Sequence, residues 1–238
     1  MGHVYSIPGS GNVDVVYGRG TVIAGNGNDS IDITGKGKII VGSGHDTLTL
    51  GDSGTILEHG RHGTDTINLG KGEYTVWEQG HATVTGAFGS ATIHGGTLEV
   101  QGHHVTEEIA VNGKITLQGG SANTEFVAGG GYTVMKGGTG NDTFVGGSGH
   151  DTMIGGSGHD LLEFLKQQQG GHHVIENFVS GQDQLYLEGH SLSWLQSHHD
   201  IHSSGGNTFI SLDGGKTTIE LQGVTSLKAS DITTHHPH

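Results

Sequence analysis

Asp142, Asp151 and Asp160 stand at a fixed interval in the stretch GGTGNDTFVGGSGHDTMIGGSGHD, residues 137–160, each closing a glycine-rich run. Three further aspartates close similar runs upstream: Asp29 after GNGN, Asp46 after GSGH and Asp65 after HGT, at spacings of 17 and 19 residues. Carboxylates repeated in this way suit the holding of a hard cation. Glycine permits the positive φ angles that turn carbonyl oxygens inward, so adjacent loops can surround an ion with carboxylate and carbonyl oxygens. Six or more oxygen ligands in flexible geometry favour calcium over magnesium or zinc. One Gly-Asn-Asp or Gly-His-Asp alone would be an ordinary turn. Six in two spaced series predict a ladder of ligands.

Other chemistry-bearing residues are less ordered. The chain has 19 histidines. His45, His150 and His159 precede an acid and are expected to face solvent as turn residues. The His-His pairs starting at His103, His172, His198 and His235 have no second pair at a zinc-binding spacing. Glu107 and Glu108 lie near His103 and His104, but neighbouring strand residues point to opposite faces and do not make one acid/base site. No Ser-His-Asp order, phosphate-binding loop or zinc motif appears. Protonation of the histidines predicts a change in self-association near about pH 6.

The elements that position the aspartates are short. Apolar-polar-apolar triplets recur as IDI at Ile31, LTL at Leu48, INL at Ile67, TVT at Thr83, ATI at Ala91, LEV at Leu98, IAV at Ile109 and ITL at Ile115, separated by Gly, Ser, Asn or His. Such alternation between turn formers reads as very short strands. A strand this short cannot bury its apolar face alone, so the strands must stack as a parallel β-solenoid with two strand-turn units in a coil of about eighteen residues. Residues 1–164 are assigned to this solenoid, of roughly nine coils. Acidic loops lie on one edge over 25–65 and on both edges over 137–163. Phe144, Met153 and Leu162 are the expected inward residues of the repeat block. Beyond Phe164 the alternating runs lengthen and the repeat stops. Residues 165–238 are therefore expected to form an antiparallel β cap that seals the end of the stack. The fold class is all-β.

Composition agrees with an ion requirement. With 47 glycines and two prolines the unfolded backbone is very mobile, and apolar residues are only 31% of the chain. Ordering is costly, and the core alone is thin. No cysteine is present to supply disulfides or thiolate ligands. The formal net charge of −14 argues against nucleic acid or anionic lipid as a partner. The N-terminus carries no charged region followed by an apolar run, so no Sec-type leader is expected, and no apolar run is long enough to span a membrane.

The three in-frame copies resemble the calcium-binding nonapeptide of RTX proteins, glycine-glycine-x-glycine-x-aspartate-x-apolar-x. That resemblance implies a β-roll with calcium between loops, and it maps the ligating aspartates to Asp142, Asp151 and Asp160, and to Asp29, Asp46 and Asp65. VIENFVSGQDQLYL and TTIELQGVTSLKASDI resemble the family's C-terminal region for type I secretion, with Asp183 retained as an acid of that motif and added to the metal set. The resemblance implies a secreted, extracellular or surface-associated protein that engages the type I secretion machinery and folds when it meets calcium outside the cell. The loops from Thr66 to Thr133 depart from the pattern by lacking the acid, and the end TTHHPH is polar. The function expected first is a non-catalytic surface, matrix or adhesion protein with calcium, a polysaccharide or a cell surface as partners. The alternatives are a carbohydrate-active protein or accessory module of the uronic-polymer epimerase or lyase type, and an ice-binding or lattice-forming solenoid.

Overall fold

In a computed structural model the described residues are 3–7, 9, 14–60, 62–86, 90–102, 107–168 and 170–235, with the side chains of 3, 14–17, 90, 93–102 and 107–112 also left aside. The pair His103–His104, the last three residues and the side chains of Glu107 and Glu108 lie outside this description.

The chain winds as a parallel β-solenoid of about eight coils. Each coil gives one short strand to each of two faces. On the first face Ser30–Ile33, Thr47–Leu50, Asp65–Leu69 and His81–Gly86 stack in parallel register. The column continues through Tyr132–Gly138 and His150–Gly156. On the second face Gly20–Ala24, Gly37–Val41, Gly54–Glu58 and Glu73–Trp77 stack likewise. Glu125–Val127, Thr143–Val145 and Leu161–Phe164 extend that column. The two-residue period of a strand sends alternate side chains inward. Ile31, Ile33, Leu48, Leu50 and Ile67 from the first face meet Ile39, Ile56 and Val76 from the second, all buried. Phe126 and Phe144 stack with ring centroids 5.1 Å apart. Phe144, Met153 and Leu162 are inside as expected.

Coil spacing, read from hydrogen bonds between equivalent residues, is 17, 18, 19 and 23 residues at different levels. Extra residues bulge from the loops while the strands keep register.

The sequence reading placed the solenoid's end at Phe164, but the parallel ladder runs on. Gly171–Glu176 stacks on His150–Gly156, Gln184–Leu187 on Leu161–Phe164, Thr217–Leu221 on Gly171–Glu176, and Ile232–Thr233 on Gln184–Leu187. The repeat motif lapses there while inward apolar residues such as Ile175, Leu185 and Ile219 persist, and these keep the coils in register. Among the described residues antiparallel pairing is confined to Ile201–Ser204, Asn207–Leu212 and Thr217–Leu221. A helix, Leu192–His198, is capped by the Ser191 side chain accepting from the Trp194 N–H, and it buries Leu195 in the core.

Candidate metal centre

Asp-x-apolar is the local rule that builds the site. In Asp46-Thr-Leu48, Asp142-Thr-Phe144 and Asp160-Leu-Leu162 the acid has the same strand parity as the core residue two places on, so it points inward at the mouth of its loop. Asp29, Asp46, Asp65, Asp142, Asp151, Asp160 and Asp183 are all buried, between 1% and 4% exposed.

The structure sorts these seven into two ladders and one separate residue. Along the first edge, the Asp29 N–H donates to Asp46 Oδ1 and the Asp46 N–H to Asp65 Oδ1, each at 2.8 Å. Along the second edge, the N–H of Thr124 donates to Asp142 Oδ1 at 2.8 Å, that of Asp142 to Asp160 Oδ1 at 2.9 Å, and that of Asp160 to Asp183 Oδ1 at 3.1 Å. Each carboxylate is thus fastened to the coil below. Asp183 ends the second ladder with both oxygens engaged, since its Oδ2 accepts from the Val179 N–H at 2.8 Å.

Asp151 lies on the first edge, apart from Asp142 and Asp160. Its neighbours in register are Thr133 and His173. Its Oδ2 accepts from the Gly147 N–H at 3.2 Å and lies 3.0 Å from Nδ1 of the buried His173. Below Thr133, the same column holds Ile115, Leu98 and Ala82 before acid returns at Asp65.

The electrostatics of the ladders fit a bound cation. Burial pushes the carboxyls of Asp46, Asp65 and Asp142 up to about 6, against the pull of the N–H groups they accept; the charge of a neighbouring acid adds a smaller upward push. Burial likewise raises Asp160. Beyond those N–H bonds, Oδ2 of Asp46 and of Asp142 and Oδ1 of Asp151 are buried with no hydrogen-bond partner. Unsatisfied buried carboxylate oxygens are costly unless an ion meets them. The glycines are part of the same cradle: a Cβ on Gly137 would collide with Asp142 Oδ2, and one on Gly155 with Asp160 Oδ2.

The residues before the acids do more than fill turns. Asn28 Oδ1 accepts from the His45 N–H at 3.0 Å, and Asn141 Oδ1 from the His159 N–H at 2.9 Å. His45 and His159 are exposed, as expected, yet His45 Nδ1 also accepts from the Thr64 N–H of the next coil at 3.1 Å. The His150 ring is stacked on Tyr132 at 5.0 Å.

Sequence reasoning missed two acids. Glu58 and Glu78 are buried beside Asp65, and one oxygen from each of the three carboxylates lies within 4.8 Å of the others. Nothing in the repeat frame marks them. The available signal was an acid closing an otherwise apolar strand, as in GTILE and YTVWE.

Comparison with known proteins points the same way for part of the chain. No curated protein sequence matches it. Among solved structures, the AlgE6R3 subunit of the Azotobacter vinelandii mannuronan C5-epimerase is similar over 54% of this chain and 78% of its own, at 22% identity and a TM-score of 0.41. The extracellular lipase LipA of Serratia marcescens is similar over 87% of this chain and 40% of its own, at 17% identity and a TM-score of 0.34. The profile of the RTX calcium-binding nonapeptide repeat, in four copies, matches residues 127–162, the block that holds Asp142, Asp151 and Asp160. This chain is a β-solenoid that carries RTX calcium-binding nonapeptide repeats.

Proposed function

We propose that the protein is a secreted, calcium-folded β-roll that acts as a non-catalytic surface or matrix component. The observation that carries this reading is the pair of aspartate ladders, whose buried carboxylate oxygens at Asp46 and Asp142 lack any hydrogen-bond donor. Asp142, Asp160 and Asp183 on one edge, Asp29, Asp46 and Asp65 on the other, and Asp151 between its Thr133 and His173 neighbours are the residues that would hold the ions. Bound calcium supplies the positive charge that buried carboxylates otherwise lack. The chain's own share is positioning: Oδ1 of Asp46, Asp65, Asp142 and Asp160 is pinned by an N–H one coil away, which at Asp46 and Asp142 leaves Oδ2 for the ion.

The order of events follows from charge and glycine content. Without the ion, buried acids oppose stacking and the glycine-rich backbone favours the open chain. Type I secretion passes an unfolded chain, which suits a protein that stays open where calcium is scarce. At the millimolar calcium outside cells, an ion that binds only the folded form shifts the equilibrium toward it. Tyr132, 62% exposed and stacked on His150, offers an outward ring surface of the kind sugar rings pack against, consistent with a polysaccharide or cell-surface partner.

Circular dichroism during a calcium titration tests the reading. We expect weak β signal in chelator and a cooperative gain as calcium reaches the range of extracellular sites. A full β spectrum indifferent to chelator would remove calcium-driven folding from the account.

A further inference from the structure

We propose that Glu58, Asp65 and Glu78 form a second kind of calcium site, made of carboxylates alone and lying in the part of the stack where the nonapeptide is absent. Glu58 ends the strand Gly54–Glu58, and Glu78 directly follows Glu73–Trp77. Leu57 pairs with Trp77 in register, so the two glutamates lie one above the other where their coils enter the loop. Asp65 opens the next strand and closes on them from the loop's exit. The coil below has Val41 in register with Glu58, so acid replaces an apolar residue at this level.

Three formal negative charges therefore share a buried pocket, with exposures of 3%, 4% and 2%. Among the described residues no lysine or arginine forms an ion pair with any of them. Backbone N–H groups serve some of the oxygens: Gly60 donates to Glu58 Oε1 at 2.5 Å, Gln79 to Glu58 Oε2 at 3.4 Å and Gly80 to Glu78 Oε1 at 2.7 Å. Of the four glutamate oxygens the remaining one, Glu78 Oε2, is buried with no hydrogen-bond donor against it among the described residues. That orphan atom distinguishes the pocket from an ordinary acidic patch.

One carboxylate oxygen of Glu58 and one of Glu78 lie within 4.8 Å of each other, a closeness of like charges that a cation between them relieves. Burial raises the carboxyls of Glu58 and Glu78 above their ordinary value, the cost of holding these acids away from water. Oxygen-only ligands select a hard cation, and extracellular conditions make that calcium; zinc would look for histidine or thiolate. This site needs neither Asp142 nor Asp160.

The test uses the full chain in calcium. Bound calcium is counted by equilibrium dialysis for the natural sequence and for Glu58→Gln/Glu78→Gln, with circular dichroism checking that each is folded. Terbium, which takes oxygen sites built for calcium and emits when a nearby indole is excited, reads the pocket through the adjacent Trp77. We expect the double variant to bind one ion fewer and to lose about tenfold or more of the terbium emission. Trp77→Phe should lose the emission and keep the ion. If the double variant fails to fold, Glu78→Gln alone is judged by the same two readings. An unchanged ion count, or emission that survives the glutamine substitutions, overturns the site. A more heat-stable variant with its ion count intact identifies a proton-sharing acid pair instead, and also overturns it. Because the Trp77 signal is local, its absence while the chain still binds calcium defeats this site and leaves the repeat loops standing.

Discussion

At the residue scale, burial rather than mutual repulsion is the main force on the loop acids. It lifts Asp46, Asp65 and Asp142 from an ordinary value of 3.8 to about 6, with the neighbouring acid a lesser contributor. In the ion-free protein the folded state therefore holds its protons more tightly than the unfolded one. The resulting stabilisation is complete below the unfolded value and is lost as pH rises through about 6. We expect the melting temperature in chelator to fall between about pH 4 and pH 6, and the fall to be cancelled by saturating calcium, which favours the ionised form. Thermal melts followed by circular dichroism at several pH values, with and without calcium, check this; an ion-free melting temperature that climbs over that range would contradict it. The repeat made Asp142, Asp151 and Asp160 readable because one short phrase sets both a turn and an inward acid. It did not reveal that Asp151 faces His173, since that neighbour comes from a later coil in which the phrase is gone. Glu58 and Glu78 were hidden for a related reason: their meeting depends on a register between coils of unequal length.

At the scale of the element, the coil is held by three kinds of repeated contact: strand ladders, aspartate-to-backbone bonds, and asparagine-to-backbone bonds such as Asn123 Oδ1 accepting from the Asn141 N–H at 2.9 Å. Such close stacking leaves no room above the loop backbone. Gly158 has φ +137°, and a Cβ there would overlap the Gly140 carbonyl oxygen one coil below. Gly205 also has a positive φ, +61°, but open space around it. Gly158→Ala should cost about 2 kcal/mol or more, from strain and steric conflict together, while Gly205→Ala should cost about 1 kcal/mol. Denaturant unfolding in saturating calcium measures the difference, and equal losses would mean that coil contact adds nothing to backbone strain. The short strands were legible from their triplets. The variation in coil length was not, because loops absorb extra residues without disturbing the apolar alternation on either side.

For the whole molecule, the two ladders occupy opposite edges and opposite ends: Asp29 to Asp65 early on the first edge, Asp142 to Asp183 late on the second. The later ladder ends inside the segment expected to be a separate cap, because Asp183 receives the Asp160 N–H across the proposed boundary at Phe164. The strands Gly171–Glu176 and Gln184–Leu187 cover the repeat block, and Leu195, Ile210, Leu212 and Leu221 continue the same core. Cutting the chain after Phe164 would remove an Asp160 partner and two strand ladders, and would open Phe164 and Leu162 to water. Exposing a large apolar side chain costs about 1.5 to 3 kcal/mol, so these losses alone rival the margin by which a domain is stable. At the other end the first coil is less enclosed, with Val4 65% and Ile7 44% exposed. We therefore expect residues 1–164 to show no cooperative β signal in millimolar calcium, and residues 18–238 to fold with nearly the full signal. If the 1–164 fragment folds on calcium by itself, the tail is an appendage to an autonomous roll; if only the longer fragment folds, the residues we propose as an export signal also complete the stack.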